Sequence, residues 1–382
     1  MASISQVLSW TIRDMYHGWS PLPLPALGSF AGQTVCVVGG STGLGLAAAE
    51  HCVNLGAAEV IITSRDAARV RVAKDRLEAA AAAAVVPVTG TRGGGGARST
   101  PPASPTECRV TAMVLDLNRY GSVVAFADDL KKIRAGRGGI DFLLLNAAVI
   151  QSRFVPSPEG WQEELQVNTL SNVLLALLLL PWLRDERRNR SSPAHLAFTT
   201  SSASLSNDVS QWEGWSSSGG GEGILNHWNK EENWPPGLSG GYNISKALLM
   251  YAGSELNKLA IGPEGKPWVI VNSMEPGMVQ TEIQRHVVQS SPFWQFLAPI
   301  IIPAIFKTAE NGARILIMGG LTTEEQHGHR LSRLMSHEEY TKFPVVATPM
   351  AKKLQQIVWK EITEVLVKAV PEAKESLDRL TG

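Results

Sequence analysis

Tyr242 and Lys246 stand four residues apart in GGYNISKALLM, residues 240 to 250. On a helix that spacing brings a phenol and an ammonium to one face. A free phenol keeps its proton up to a pKa of ~10. A neighbouring cation favours the phenolate and lowers that value, so the pair suits moving a proton to or from an oxygen atom. A second set of residues lies in TVCVVGGSTGLGLAAAE, where Gly39, Gly43 and Gly45 separate an apolar run from a helical pattern. Glycines there let the backbone turn sharply and approach a pyrophosphate, while the helix start offers free N–H groups and a positive dipole end. The frame Gly43, Gly45, Ala48 is also readable. Only the wider one begins directly after the strand, and it is preferred. A third set ends the second strand in IITSRD. A carboxylate at that point would bind the ribose 2′-hydroxyl of NAD. Ser64 and Arg65 occupy it instead, and a hydroxyl with a guanidinium suits the 2′-phosphate of NADP(H).

Elements able to position these groups follow one another from residue 34. TVCVV (34–38), AEVIITS (58–64), RVTAMVLDL (109–117), IDFLLLNAA (140–148), AHLAFTT (194–200) and PWVIVNSMEP (267–276) read as strands, with helical segments between them. Continuous apolar runs rather than strict alternation mark strands buried on both faces. Repeated strand–helix units predict a doubly wound, Rossmann-type α/β domain, a parallel sheet with helices on both faces. Residues 31–335 form that single domain with insertions. A helical extension precedes it (1–30) and another follows (336–382).

The 382 residues are 44% apolar and 18% charged, with lysine plus arginine equal to aspartate plus glutamate at 35 each. That balance excludes a disordered chain and gives no basic footprint for nucleic acid. Cys36, Cys52 and Cys108 have no metal-ligand spacing, so no metal is expected and a reducing, cytoplasmic setting is. Arg13, Asp14 and His17 interrupt the apolar N-terminal run, which argues against a signal peptide. VLLALLLLPWL (173–183) is too short to span a bilayer, and a protein with no transmembrane segment is expected.

GGSTGLG, LNAA, VNTLS, TTSS, YNISK and EPGMVQT occur in the order, and on the elements, of the short-chain dehydrogenase/reductase family, which the chain resembles over roughly residues 31 to 335. The extended ends resemble fungal members that tailor secondary metabolites. The resemblance implies an NADP(H)-dependent oxidoreductase in which Tyr242 is the general acid/base and Lys246 holds the nicotinamide ribose. Ser201, or its neighbour Ser202, would polarise the substrate oxygen, and Asn168 would anchor a water linking Lys246 to solvent. It further implies cofactor contacts at Gly39, Ser41, Gly43, Leu44, Gly45, Ser64, Arg65, Asp116 and Leu117. Asn146, Tyr242, Lys246, Pro276, Gly277, Val279 and Thr281 complete that set. Family members often pair through the Tyr-bearing helix, so a homodimer is the implied assembly. Val38 and Ala148 depart from the family pattern by small changes. The larger departure is the 41-residue separation of Ser201 and Tyr242, far beyond the family's usual spacing.

Two insertions account for the extra length. Residues 85–107, rich in Gly, Pro, Ser and Thr, read as a surface loop. Residues 205–240 carry Trp212, Trp215, Trp228 and Trp234, four of the chain's 11 tryptophans. A substrate lid is expected at 284–308, where SSPFWQFLAPIIIPAIF suits a bulky, lipophilic small molecule of polyketide or terpenoid kind. Simple core packing of this run is the competing reading, and shallow membrane contact is a third. A cyclase or dehydratase on the same fold, and a nucleotide-binding scaffold, are the other functions open to the sequence. The scaffold would have no use for Asn168, Ser201, Tyr242 and Lys246 together.

Overall fold

The computed structural model describes residues 12, 13, 16, 20–84, 108–186, 192–237, 240–280 and 306–382. The loop 85–107, Thr281, nearly all of the 284–308 lid and most of the 1–30 extension therefore lie outside the described residues. Strand β1 (Thr34–Val38) leads through the glycine turn into α1 (Gly43–Asn54), then β2 (Glu59–Ser64), α2 (Ala67–Ala84), β3 (Arg109–Val114), α3 (Tyr120–Arg134) and β4 (Phe142–Leu145). A π-helical stretch, Leu165–Leu170, runs directly into α4 (Ser171–Glu186) and is followed by β5 (Ala194–Thr199). After two short helices, α5 (Trp212–Trp215) and α6 (Ile224–Trp228), come α7 (Gly240–Leu259), β6 (Val269–Glu275), α8 (Ala309–Met318) and β7 (Arg330–Ser332). Helices α9 (His337–Tyr340), α10 (Pro344–Ala347), α11 (Pro349–Ala369) and α12 (Pro371–Thr381) close the chain.

All seven strands are parallel, in the order β3-β2-β1-β4-β5-β6-β7. This is the doubly wound sheet expected, with β7 as an edge strand the apolar pattern does not announce. Alternation along β1 sends Cys36 and Val38 into one core and Val35 and Val37 into the other. Both faces are thus apolar, which is why these strands read as unbroken hydrophobic runs. The winding reverses between β1 and β4, and the crevice beyond their carboxyl ends is where such sheets bind ligands.

The run at 173–183 lies inside a 22-residue helical stretch, Leu165–Glu186, which is long and apolar enough to cross a membrane. The expectation that it is too short is therefore corrected. However, 94% of its most apolar window is buried in this fold, where it separates the sheet from the C-terminal helices.

The insertion at 205–240 is not an outward loop. Trp212 is fully buried, edge-on to Trp228 and Tyr251 at centroid distances of 6.1 and 6.3 Å. Trp215 stacks on His227 at 3.8 Å. Leu225 N donates to Glu361 Oε2 of α11 at 3.0 Å, so insertion and C-terminal extension support one another. The tryptophans belong to the core rather than to a substrate surface, because each ring finds an aromatic or helical partner before it reaches the cleft.

The same extension alters the expected pairing face. Helix α11 lies along α7, and α12 lies on α4. Of the residues in α7 only Lys258 is exposed, and none of those in α4 is. The surface the resemblance assigns to a partner subunit is covered by the chain's own C-terminus.

Candidate active site

One cleft of about 420 Å³ opens at the switch point between β1 and β4. Its floor is the glycine turn. Gly39 and Gly43 have φ of +77° and +55°, a region side chains with a Cβ rarely enter. The N-cap of α1, Thr42, makes no side-chain capping bond, which leaves the first N–H groups of the helix for a ligand. Gly45 serves differently. A Cβ there would stand 2.1 Å from the Gly39 carbonyl oxygen and 2.8 Å from Asn146 Nδ2. Gly45 does not line the cleft; it lets α1 close onto the turn. Asn146 sits under the loop, its Oδ1 accepting from Thr199 Oγ1 at 3.2 Å.

Ser41, Leu44, Ser64, Arg65, Asp116 and Leu117 all line the cleft, with Pro276, Gly277 and Val279 on the opposite wall. Arg65 is held 3.6 Å from Glu163 and remains largely exposed. Two neighbours escaped the sequence reading. Thr63 accepts the Gly39 N–H at 3.1 Å, and Arg69, one helical turn beyond Arg65, faces the same space. Asp116 accepts the Asn118 N–H at 3.0 Å, as an ordinary turn aspartate does, and still lines the cleft. Beyond Gly277 the chain pairs with Lys307. Lys307 N donates to Met278 O at 2.9 Å and Gln280 N to Lys307 O at 2.8 Å, while buried Lys307 Nζ reaches Pro276 O at 3.3 Å. Lys307, unremarked in the sequence, ties together the two ends of residues 281–305.

Ser201, Tyr242 and Lys246 meet at the inner end. Ser201 caps the 3-10 turn Ser202–Ser206 by accepting the Ala203 N–H at 3.2 Å, and its hydroxyl also bonds the Tyr242 phenol. Ser201 lines the cleft and Ser202 does not. Lys246, 2% exposed, donates to Thr199 O at 2.8 Å and lies 5.6 Å from the Tyr242 ring centre. Burial lowers its pKa to about 8. Burial also raises that of Tyr242 above the ordinary phenol value, against the pull of the Ser201 hydrogen bond. Glu275 and Glu164 raise it further. The expectation of a lowered phenol pKa is not met, because desolvation and two carboxylates act against it.

Asn168 lies in the π-helical stretch and is fully buried. Its Oδ1 accepts from Val149 N at 2.8 Å, and its Nδ2 donates to Val149 O at 2.9 Å and Ser245 Oγ at 3.0 Å. The side chain is spent on fixing the β4 loop to α7 beside Lys246, and it does not line the cleft. Such π turns recur where a helix must offer groups to a site.

A parallel sheet whose switch-point crevice joins a glycine turn to a Ser–Tyr–Lys cluster defines a dinucleotide-binding oxidoreductase fold. No family model matches the chain. It is 30% identical over 355 residues to the short-chain dehydrogenase/reductase ffsI of Aspergillus flavipes, covering 91% of this chain and 90% of that protein. Against phmF of Phaeosphaeria nodorum, also a short-chain dehydrogenase/reductase, identity is 30% over 366 residues, with 93% and 92% covered. Among solved structures, L-sorbose reductase of Gluconobacter frateurii in complex with NADPH and L-sorbose matches with a TM-score of 0.50 at 19% identity. The match covers 75% of this chain and 89% of that one, and it shows the shared fold. The chain belongs to the short-chain dehydrogenase/reductase family.

Proposed function

We propose that the protein is an NADP(H)-dependent reductase of a ketone, or dehydrogenase of the corresponding alcohol, on a bulky lipophilic secondary metabolite. The observation that carries the reading is one cleft with a phosphate-ready turn at one end and Ser201, Tyr242 and Lys246 at the other. The residues fit a dinucleotide: a Cβ cannot be accommodated at Gly45, the α1 N-terminus is uncapped, and Ser64, Arg65 and Arg69 supply donors for a 2′-phosphate. When bound, the nicotinamide supplies or accepts the hydride. In this reading Ser201 donates a hydrogen bond to the substrate oxygen, and Tyr242 gives it a proton as negative charge develops there. Lys246, already held by Thr199, holds the ribose hydroxyls. Asn168 keeps the β4 loop and α7 in register. Three free thiols, Cys36 and Cys52 of them buried, fit a reducing cytoplasmic setting.

Titration of the purified protein with NADPH and with NADH, followed by tryptophan quenching, tests this. Preferential NADPH binding, weakened about tenfold or more by Arg65→Ala through loss of a charge-assisted contact, is expected. Tyr242→Phe should bind NADPH as the wild type does and lose turnover by about 10²–10⁴. Equal affinity for both cofactors in the wild type would overturn the NADP(H) assignment.

A further inference from the structure

On the segment that leads into the π-helical stretch, a carboxylate joins three loops around the adenosine end of the cleft. Glu163 is buried. Its Oε1 accepts from Asn118 Nδ2 at 2.7 Å, and its Oε2 accepts from Gln151 Nε2. Its backbone N–H donates to Val155 O at 2.8 Å. Asn118 belongs to the loop after β3 and Gln151 to the loop after β4, so amides from two directions fix the carboxylate. Arg65, just beyond β2, brings Nη1 to 3.6 Å from the same Oε1. Arg65 lines the cleft, whereas Glu163 and Asn118 do not. One guanidinium therefore adjoins both a buried anion and the cleft.

We propose that Glu163 is a specificity-determining residue for the cofactor: its fixed carboxylate competes with the 2′-phosphate for Arg65, and so lowers the affinity for NADPH without touching that for NADH. The proposal rests on the NADP(H) reading of the cleft, in which Arg65 receives that phosphate. It adds a residue outside the cleft that works against the preference Arg65 provides.

Competition, rather than support, follows from the contact itself. A carboxylate that orients a guanidinium does so through short, charge-assisted N–H···O bonds. At 3.6 Å the Arg65–Glu163 contact is longer than such a bond and is an attraction between charges with little directional hold. The two partners also differ in freedom. The Arg65 side chain is 63% exposed and that of Glu163 only 9%. When a phosphate arrives, the arginine can turn toward it and the carboxylate cannot follow. The part of the attraction given up is then lost from phosphate affinity.

The other charges at this end are placed differently. Asp66 accepts the Ala68 and Arg69 N–H groups at 2.8 and 3.0 Å, at the start of α2. Asp116 lies 3.8 Å from Arg119. Arg69 makes no ion pair among the described residues. Of the two arginines that face the cleft, Arg65 is thus the one whose charge is already shared. An ion pair with one exposed partner is weak and screened by salt, which sets the expected effect at about three- to fivefold.

Calorimetric titration of the full chain tests this, with NADPH and NADH as one pair of probes. Adenosine 2′,5′-bisphosphate and adenosine 5′-monophosphate form a second pair, which differs only in the 2′-phosphate. In Glu163→Gln, NADPH and the bisphosphate should bind about three- to fivefold tighter, and NADH and the monophosphate within about 1.5-fold of wild type. In an Arg65→Ala background the same substitution should change none of the four, because the group competed for is gone. NADPH binding that is unchanged or weaker in Glu163→Gln overturns the proposal. So does a gain shared equally by NADH, which would report loosened loops, or a gain of full size without Arg65. A partial loss of folded protein scales both affinities of a pair alike and cancels in their ratio. Should Glu163→Gln fail to fold, Glu163→Asp keeps the charge and withdraws it from Arg65 by one methylene. It should give a smaller gain of the same sign, and no gain there also overturns the proposal. Equal binding of NADPH and NADH by the wild type would instead be a failure of the NADP(H) reading, visible before any substitution is made.

Discussion

The glycine turn at 39–45 and the tryptophan-bearing segment at 205–240 both interrupt the strand–helix rhythm, and they are held by opposite means. The turn is fixed by its own backbone: positive φ at Gly39 and Gly43, the close approach of Gly45 to the Gly39 carbonyl, and one bond to Thr63 on the next strand. The insertion has little regular structure of its own. It depends on Tyr251 of α7 and on Glu361 and Lys353 of α11, the last two 136 and 140 positions from their partners. A local constraint writes itself into the sequence as residue type. A distant one leaves only composition, here a cluster of indoles whose neighbours the sequence does not name.

The largest expected effect on cofactor binding falls on the turn. In Gly45→Ala the added methyl meets backbone rather than a movable side chain, so α1 must shift away from Gly39. Overpacking of this kind costs about 1–3 kcal/mol, and NADPH affinity should fall by about 10–100-fold in a fluorescence titration. Affinity within twofold of wild type would show that the turn is no more constrained than the insertion.

Trp212→Ala addresses the other region. Removing a fully buried indole costs about 3–5 kcal/mol of stability, visible as a lower midpoint in denaturant unfolding. No residue from 202 to 241 lines the cleft among those described, so NADPH affinity in the folded fraction should stay within about twofold, or ~0.4 kcal/mol. Loss of both together would mean that the two regions are one cooperative unit.

The fold was legible for the same reason as the turn. Runs such as VIIT and FLLL need no partner to be recognised as doubly buried strands, and GGSTGLG and YNISK fall on the strand–helix turn and the helix start expected of them. Gly39, Ser64, Arg65, Asp116 and Tyr242 are each found in the cleft. What the sequence concealed depends on three-dimensional neighbours. The proton affinity of Tyr242 is set by burial and by Glu164 and Glu275, from two other elements. Lys307 acquires its role only through its contact with Pro276. The covering of α4 and α7 requires α11 and α12 to fold back, and nothing in their own amphipathic patterns says against what.

The smallest effect isolates the joint between insertion and extension. Glu361 Oε2 accepts the Leu225 N–H at 3.0 Å at the start of α6, and both of its oxygens lie 3.5 Å from a Cβ built on Gly223. The carboxylate therefore caps a five-residue helix from a different part of the chain, on a first turn with no side-chain cap of its own. Glu361→Ala should cost about 1 kcal/mol, the usual worth of a capping acceptor, and lower the melting temperature by about 2–4 °C. Glu361→Gln retains an amide oxygen in the acceptor position and should recover most of that loss. An equal loss in both variants would show that the charge, rather than the acceptor, holds α6. The joint would then weaken as salt is added, because a charge–dipole attraction is screened and a hydrogen-bond acceptor is not.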